Sequence, residues 1–185
     1  MQGQKLIARR DALRLGGGAL LAGLVTPAVG WASTPGPRRA ALQNLHTGDR
    51  FNDVYFENGR YLPDALADLN KVMRDWRTGD THFIDPKLYD ALHAIQTRLE
   101  SNRPYGIISG YRSPATNAKL NSKSSGVAKK SLHMTGQAID IRVAGVDLKH
   151  VHKAALDVSA GGVGYYPNSN FVHVDTGRVR RWSGS

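Results

Sequence analysis

Three residues of this chain have the types and the spacing for metal chemistry. His133 lies in Ser131-Leu132-His133-Met134-Thr135-Gly136-Gln137-Ala138-Ile139-Asp140, which puts a carboxylate seven residues beyond an imidazole with a glycine between them. Gly136 permits the sharp reversal that lets a loop histidine meet an aspartate on the following strand. On that strand Ala138, Asp140 and Arg142 share one face and Ile139, Ile141 and Val143 the other, so the acid sits opposite the apolar residues. His173 occupies the alternating stretch Phe171-Val172-His173-Val174-Asp175 and shares its face with Phe171 and Asp175. Two imidazoles and one carboxylate, with a fourth tetrahedral position open, form the ligand set of a catalytic zinc ion. The chain has no cysteine, so disulfides and thiolate ligands are excluded and any metal falls to His, Asp or Glu. Spacing alone leaves a second reading open, in which these side chains only hydrogen-bond to one another. Of seven histidines, the other five (His46, His82, His93, His150 and His152) sit in turn, linker or helical contexts where structural roles are expected.

The elements that must position these residues follow from periodicity and turn chemistry. Segments at about 40–46 and 50–56, separated by Thr47-Gly48-Asp49, suggest a hairpin, with Asn58-Gly59 as a second turn. Pro63-Asp64 opens a helix with Leu66, Leu69, Val72, Met73 and Trp76 at three- and four-residue spacing, ended by Thr78-Gly79-Asp80. Asp85-Pro86 caps a second helix with the stripe Leu88, Leu92, Ile95 and Leu99. Tyr105 to Ser109 is expected as a strand, and Gly110-Tyr111-Arg112-Ser113-Pro114 as a turn into a short helix. Residues 121–131, rich in Ser, Lys and Gly, are expected as a mobile loop. Ala138 to Val143 follows as a strand, and Leu148, Val151, Ala155 and Val158 mark a third main helix. Gly161–Tyr166 and Phe171–Asp175 form a strand pair across Pro167-Asn168-Ser169-Asn170. Helices followed by strands of this kind predict an α+β fold, an antiparallel sheet packed against helices.

A length of 185 residues allows one domain and a short appendage, and 41% hydrophobic residues suffice for a packed core. The appendage is the start of the chain. Arg9 and Arg10 precede a glycine-rich apolar run from Leu15 to about Trp31, which ends among small residues. A basic start, a modest apolar middle and a small-residue exit describe an export signal of the twin-arginine type over residues 1–32. The run is short and glycine-rich, a poor composition for a permanent membrane span. Residues 33–39, rich in Pro and Gly, are expected as a linker and 40–185 as the functional domain. Residues 1–32 hold four basic residues and one acid, so without them the net charge falls from +10 to +7. The basic residues are scattered apart from Lys129-Lys130 and Arg178, Arg180 and Arg181. With export, that pattern fits an anionic envelope polymer better than nucleic acid.

The pattern Ser-x-His-x-x-Gly-x-Ala-x-Asp, followed by a late strand histidine, resembles the zinc D-Ala-D-Ala carboxypeptidase and hedgehog-like metallopeptidase group. It is closer still to the murein endopeptidase K and YcbK-like family. Asn44-Leu45-His46-Thr47-Gly48, Ile108-Ser109-Gly110-Tyr111-Arg112-Ser113, Gly126-Val127-Ala128-Lys129-Lys130-Ser131 and Gly161-Gly162-Val163-Gly164-Tyr165-Tyr166-Pro167 carry that likeness across about residues 40–182. The resemblance implies a hedgehog-like α+β peptidase fold with Zn2+ on His133, Asp140 and His173. It also implies that Arg112 lies against the substrate carbonyl, where a guanidinium stabilises a developing oxyanion. Asn117, Ser131 and Thr135 match positions that line the substrate cleft in related enzymes. The implied activity is a monomeric periplasmic endopeptidase on peptidoglycan peptide crosslinks, including the bond between two meso-diaminopimelate residues.

One departure from the family pattern bears on proton transfer. Related enzymes carry an acid three residues before the last histidine, or a histidine two residues before it, as general base. Here those positions are Asn170 and Phe171. Asp175 lies two residues beyond His173 on the same face, so it is a candidate base, or else the group that orients the His173 ring. Three other functions remain open: a carboxypeptidase releasing terminal D-alanine, a metal-bound peptidoglycan-binding module without turnover, and a polyanion-binding protein.

Overall fold

A computed structural model describes residues 36–124 and 126–184. β1 (Arg38–Asn44) begins two residues inside the expected linker and pairs antiparallel with β2 (Arg50–Glu57). Asn58 and Gly59, at φ of 53° and 77°, turn the chain into the short β3 (Arg60–Tyr61). Such left-handed angles are easy for Gly and tolerated by Asn, which is why this dipeptide marks a hairpin. The export-signal reading and residues 33–35 of the linker lie outside the described residues.

The helices follow their capping signals. α1 (Pro63–Val72) starts on the proline, as a ring with fixed φ and no N–H favours the first helical position. α2 (Pro86–Arg98) is capped by Asp85, whose carboxylate accepts from the Lys87 backbone N–H at 3.0 Å. α3 (Pro114–Lys123) is capped by Ser113, and α4 (Leu148–Val158) by Asp147. β4 (Tyr105–Ser109), β5 (Ala138–Val143), β6 (Gly162–Tyr166), β7 (Phe171–Asp175) and β8 (Arg180–Ser183) complete one eight-stranded sheet in the order β3-β2-β1-β4-β5-β7-β6-β8.

The sheet packs against helices as expected and is antiparallel at five of its seven pairings, with two parallel ones added. β1 and β4 run parallel, as do β6 and β8. The long connection through α1 and α2 between β3 and β4 allows the first of these pairings, since parallel neighbours need such a crossover. The second arises because the chain leaves β7 and adds β8 on the far side of β6. β8 itself was not expected, since its residues Arg180-Arg181-Trp182-Ser183 lack an apolar alternation.

The core lies between the helices and one face of the sheet. Leu69, Met73, Leu88, Leu92, Ile95 and Val151 meet Ile107, Ile139, Ile141, Val172 and Val174, all buried. Ile139 and Ile141 thus commit one face of β5 to the helices, and Asp140 between them is turned to the opposite face. Among the described residues, no helix is long and apolar enough to cross a membrane.

Candidate active site

The centre of the site is set by strand register. Asp140 on β5 stands directly opposite His173 on β7, and residues directly opposed in an antiparallel pair project from the same face. His173 Nδ1 lies 2.9 Å from Asp140 Oδ1. His133 arrives from the 3₁₀ turn Leu132–Thr135, capped by Ser131 and reversed by Gly136 at φ 68°. A Cβ at Gly136 would strike the Phe83 carbonyl, so both the angle and the space demand glycine. The reversal delivers His133 Nε2 to 3.2 Å from His173 Nδ1 and 3.3 Å from Asp140 Oδ1.

Three donor atoms therefore form a triangle with edges of 2.9–3.3 Å. A tetrahedral zinc ion with ligands at about 2.0–2.1 Å has edges of roughly 3.3–3.4 Å, so the donor set fits zinc in both chemistry and size. His133, Asp140 and His173 would hold it, and among the described residues they form the one group of this kind.

The back of each imidazole is also committed. His133 Nδ1 lies 2.7 Å from the Gly110 carbonyl, an acceptor only, so Nδ1 carries the proton and Nε2 presents its lone pair to the site. His173 Nε2 donates to Asp175 Oδ2 at 3.0 Å, which leaves Nδ1 facing the site. Burial lowers the pKa of His133 and outweighs the attraction of Asp140. Burial also pulls His173 down, but its hydrogen bonds to Asp140 and Asp175 prevail and raise it. Burial pushes Asp140 up, yet His133 and Arg112 hold it well below the ordinary carboxylate range.

Asp175 is fully buried and surrounded by donors. Besides His173 it accepts from the backbone N–H groups of Gly162 and Gly177, each at 2.9 Å, and from Arg180 Nη1 and Nη2 at 3.0 and 2.7 Å. Burial raises its pKa, but these donors together depress it below the ordinary value. A carboxylate with every lone pair engaged and no exposed surface is a poor proton acceptor. Of the two roles open to Asp175, the geometry supports holding the His173 ring.

Arg112 stands at the edge of the metal triangle. Its Nη2 bonds Asp140 Oδ2, the oxygen turned away from the imidazoles, and its Nε donates to Ser109 Oγ at 2.8 Å. Ser109 is aimed there by an irregularity in the β4–β5 register between Ile107 and Ser109. The turn that carries Arg112 is anchored from below: Asp75 accepts from the Ser113 N–H at 2.9 Å, and Tyr111 N–H donates to the Met73 carbonyl. Arg112 lines the cleft, and its Nη1 has no hydrogen-bond partner among the described residues.

The cleft, about 650 Å³, opens over the triangle. The profile of the family described as peptidoglycan L,D-endopeptidase MepK matches residues 32–182. The chain is 49% identical to the peptidoglycan L,D-endopeptidase MepK of Escherichia coli K12 over 175 residues, 94% of this chain and 96% of that protein. It is 44% identical over 178 residues to a probable peptidoglycan L,D-endopeptidase MepK of Haemophilus influenzae, covering 95% and 96% of the two. The chain belongs to the MepK family. The solved structure of the Serratia marcescens L-Ala D-Glu endopeptidase ChiX overlaps 41% of this chain and 62% of its own, with 23% identity and a TM-score of 0.33. That overlap is too slight to inform the site.

Within this MepK-family chain the residues expected at the cleft separate into two groups. Ser131 lines it, next to Lys130 and Leu132. Asn117 and Thr135 are not among its lining residues. Asn117 is buried behind the wall and donates to the carbonyls of Ala128 and Lys129 at 3.0 and 3.3 Å. Thr135 bonds Leu132 and Gln137 at the back of the 3₁₀ turn. Part of the stretch expected as a mobile loop is held by hydrogen bonds. Residues 121–123 belong to α3, and Asn121 and Asn117 hold the carbonyls of Val127, Ala128 and Lys129.

Sequence reasoning assigned no cleft role to Tyr166, Phe171, Arg180 and Trp182, which also line the cleft. Trp182 tilts over His173 with ring centroids 5.2 Å apart. Its one sequence signal was Gly164 inside a strand, which marks close approach of another group. A Cβ there would meet the Trp182 ring at 2.6 Å. The five remaining histidines are away from the triangle, and several of them stack on aromatic rings, as His46 does on Trp76 and His82 on Tyr111.

Proposed function

We propose that this chain is a zinc-dependent endopeptidase that hydrolyses peptide crosslinks of peptidoglycan, with the bond between two meso-diaminopimelate residues as its target. The observation that carries the reading is the donor triangle of His133, Asp140 and His173, open to a cleft and flanked by Arg112. Zinc held by these three residues supplies a Lewis acid that polarises a carbonyl and acidifies water. The residues of the chain do the rest. Asp175 and the Gly110 carbonyl fix the two imidazoles with their lone pairs facing the site. Arg112 turns the free edge of its guanidinium towards the position where a carbonyl oxygen gains negative charge. Ser131 contributes to the substrate wall, while Asn117 and Thr135 keep that wall in shape. None of the acids around the triangle is free to take a proton, so no residue is assigned as general base.

The names of the curated relatives favour an endopeptidase over a D-alanine carboxypeptidase, and a depressed, fully bonded Asp175 is compatible with either. The arginine pair and the apolar run that follows support export by the twin-arginine route and action in the periplasm, with the anionic wall polymer rather than nucleic acid as partner; a monomer completes the reading. The test is mass spectrometry of products from defined crosslinked muropeptides and from purified sacculi, with and without a chelator. Chelator-sensitive cleavage between the two diaminopimelate residues is expected. Release of D-alanine alone identifies a carboxypeptidase, and an unchanged profile identifies a binding module.

A further inference from the structure

Tyr166 and Lys130 both line the cleft. Its ring is stacked on Phe171 at 4.5 Å and 19°, its direct neighbour in the β6–β7 register. The Trp182 indole donates to the Tyr166 hydroxyl oxygen at 2.8 Å. An indole N–H is a donor only, so the hydroxyl accepts there. Its own proton finds no acceptor among the described residues and is left for the cleft. Accepting one hydrogen bond also strengthens a hydroxyl as a donor.

Trp182 fixes where that donor stands. It is seated on Gly164, lies beneath the Arg180 guanidinium at 4.9 Å, and tilts over His173. Gly164 is directly opposite His173, and Tyr166 is two residues further along the same face, about 7 Å. The Trp182 indole links the two places, bonded to the Tyr166 hydroxyl and tilted over His173.

The cleft has donors to spare and no acceptor of matching charge. Asp140 is engaged by Arg112 and the imidazoles, and Arg180 by the buried Asp175. Lys130 has no ionic partner among the described residues, and Arg112 keeps one free edge. The aromatic faces are already used inside the protein, on Phe171 and Gly164, which argues against stacking on a sugar ring.

We infer that the Tyr166 hydroxyl, aimed by Trp182 and joined by the Lys130 ammonium, receives a free carboxylate on the residue beside the scissile bond. A phenol and an ammonium that donate to a carboxylate form charge-assisted hydrogen bonds, the strong class. The inference rests on the endopeptidase reading above and names what selects its substrate.

The test uses the zinc-loaded full chain with crosslinked muropeptides whose carboxylate beside the bond is either free or amidated. For the parent, amidation is expected to raise KM on the order of 10- to 100-fold, as loss of hydrogen bonds to a charged group does. Tyr166→Phe keeps the stacking on Phe171 and the ring volume. It is expected to raise KM for the free acid about tenfold, to change kcat by less than about threefold, and to shrink the amidation penalty. Lys130→Gln, on the exposed loop, should act in the same direction. Zinc content should match the parent in both variants. An equal loss on both substrates, or none, overturns the inference. Should the parent cleave neither substrate, the endopeptidase reading falls. Calorimetric affinity for the uncrosslinked free and amidated peptides then decides the carboxylate site. A preference for the free acid that disappears in Tyr166→Phe supports the site, and equal affinities refute it.

Discussion

Replacing Asp175 by Asn tests whether this carboxylate holds His173 or moves a proton. In the parent, Asp175 Oδ2 accepts from His173 Nε2 at 3.0 Å and balances Arg180 at 2.7 Å, with no exposure of its own. Asn removes the charge and offers an amide where the imidazole N–H needs an acceptor. The His173 ring then loses its fixed tautomer, and loss of such a partner typically costs 10- to 100-fold in metal affinity, about 1.4–2.8 kcal/mol. Arg180 is also left without its counter-charge. Removing one partner of a buried pair costs about 3–5 kcal/mol. The Arg180 side chain is 32% exposed and can rehydrate, so a loss of about 2–3 kcal/mol is expected. For a domain of this size that lowers Tm by roughly 4–12 °C. The assays are competition for zinc with a chromogenic chelator, thermal unfolding, and hydrolysis across a zinc titration. If Asp175 orients the ring, affinity falls within this range and saturating zinc restores much of the turnover. Zinc affinity within about twofold of the parent, with turnover abolished at saturation, would refute this account and make Asp175 the base.

Four further outcomes follow from the same geometry. His133→Ala and His173→Ala should each leave a largely folded domain that retains no zinc and hydrolyses at background rate, checked by metal analysis and circular dichroism; activity near the parent's in either would exclude the triangle as the metal site. Arg112→Lys cannot bridge Ser109, Asp140 and the cleft at once, so kcat should fall by about 10²–10³ with a smaller change in KM, as for other donors to a developing oxyanion. In the metal-free protein, NMR titration should place His173 above 6.5 and His133 below it. The His173 proton then stabilises the fold fully below 6.5, and that contribution is lost as pH rises through the raised value, while His133 costs stability as pH falls below 6.5. Zinc displaces the His173 proton, so its affinity should drop as the solution is acidified through that window. Gly164→Ala puts a methyl group 2.6 Å from the Trp182 ring; about 1–3 kcal/mol of overpacking strain is expected, with a changed near-ultraviolet dichroism signal from the displaced indole.

Much of this arrangement was legible in the amino-acid sequence because its signals are local. Asp85-Pro86 and Pro63 set helix starts, alternation set β5 and β7, and Gly136 marked the reversal that joins His133 to Asp140. The parallel pairings of β1 with β4 and β6 with β8 were not legible, since they join segments far apart that carry no mutual pattern. β8 escaped notice because its residues lack an apolar alternation, and with it the places of Trp182 and Arg180 at the cleft. The roles of Asn117 and Asp175 were ambiguous because spacing gives a face and not a partner. Only the three-dimensional structure gives Asn117 its two loop carbonyls and Asp175 its ring of donors.

The opposition of Asp140 and His173 across two paired strands has a consequence for control. In a β-ladder a slip of one residue sends every side chain to the other face. A chain that paired β5 and β7 one position out would turn one of the two ligands into the core and have no place for a metal. Metal binding therefore requires the correct pairing, and a mispaired copy lacks the site. In a family of peptidoglycan hydrolases, the ladder thus ties the metal site to a single strand register.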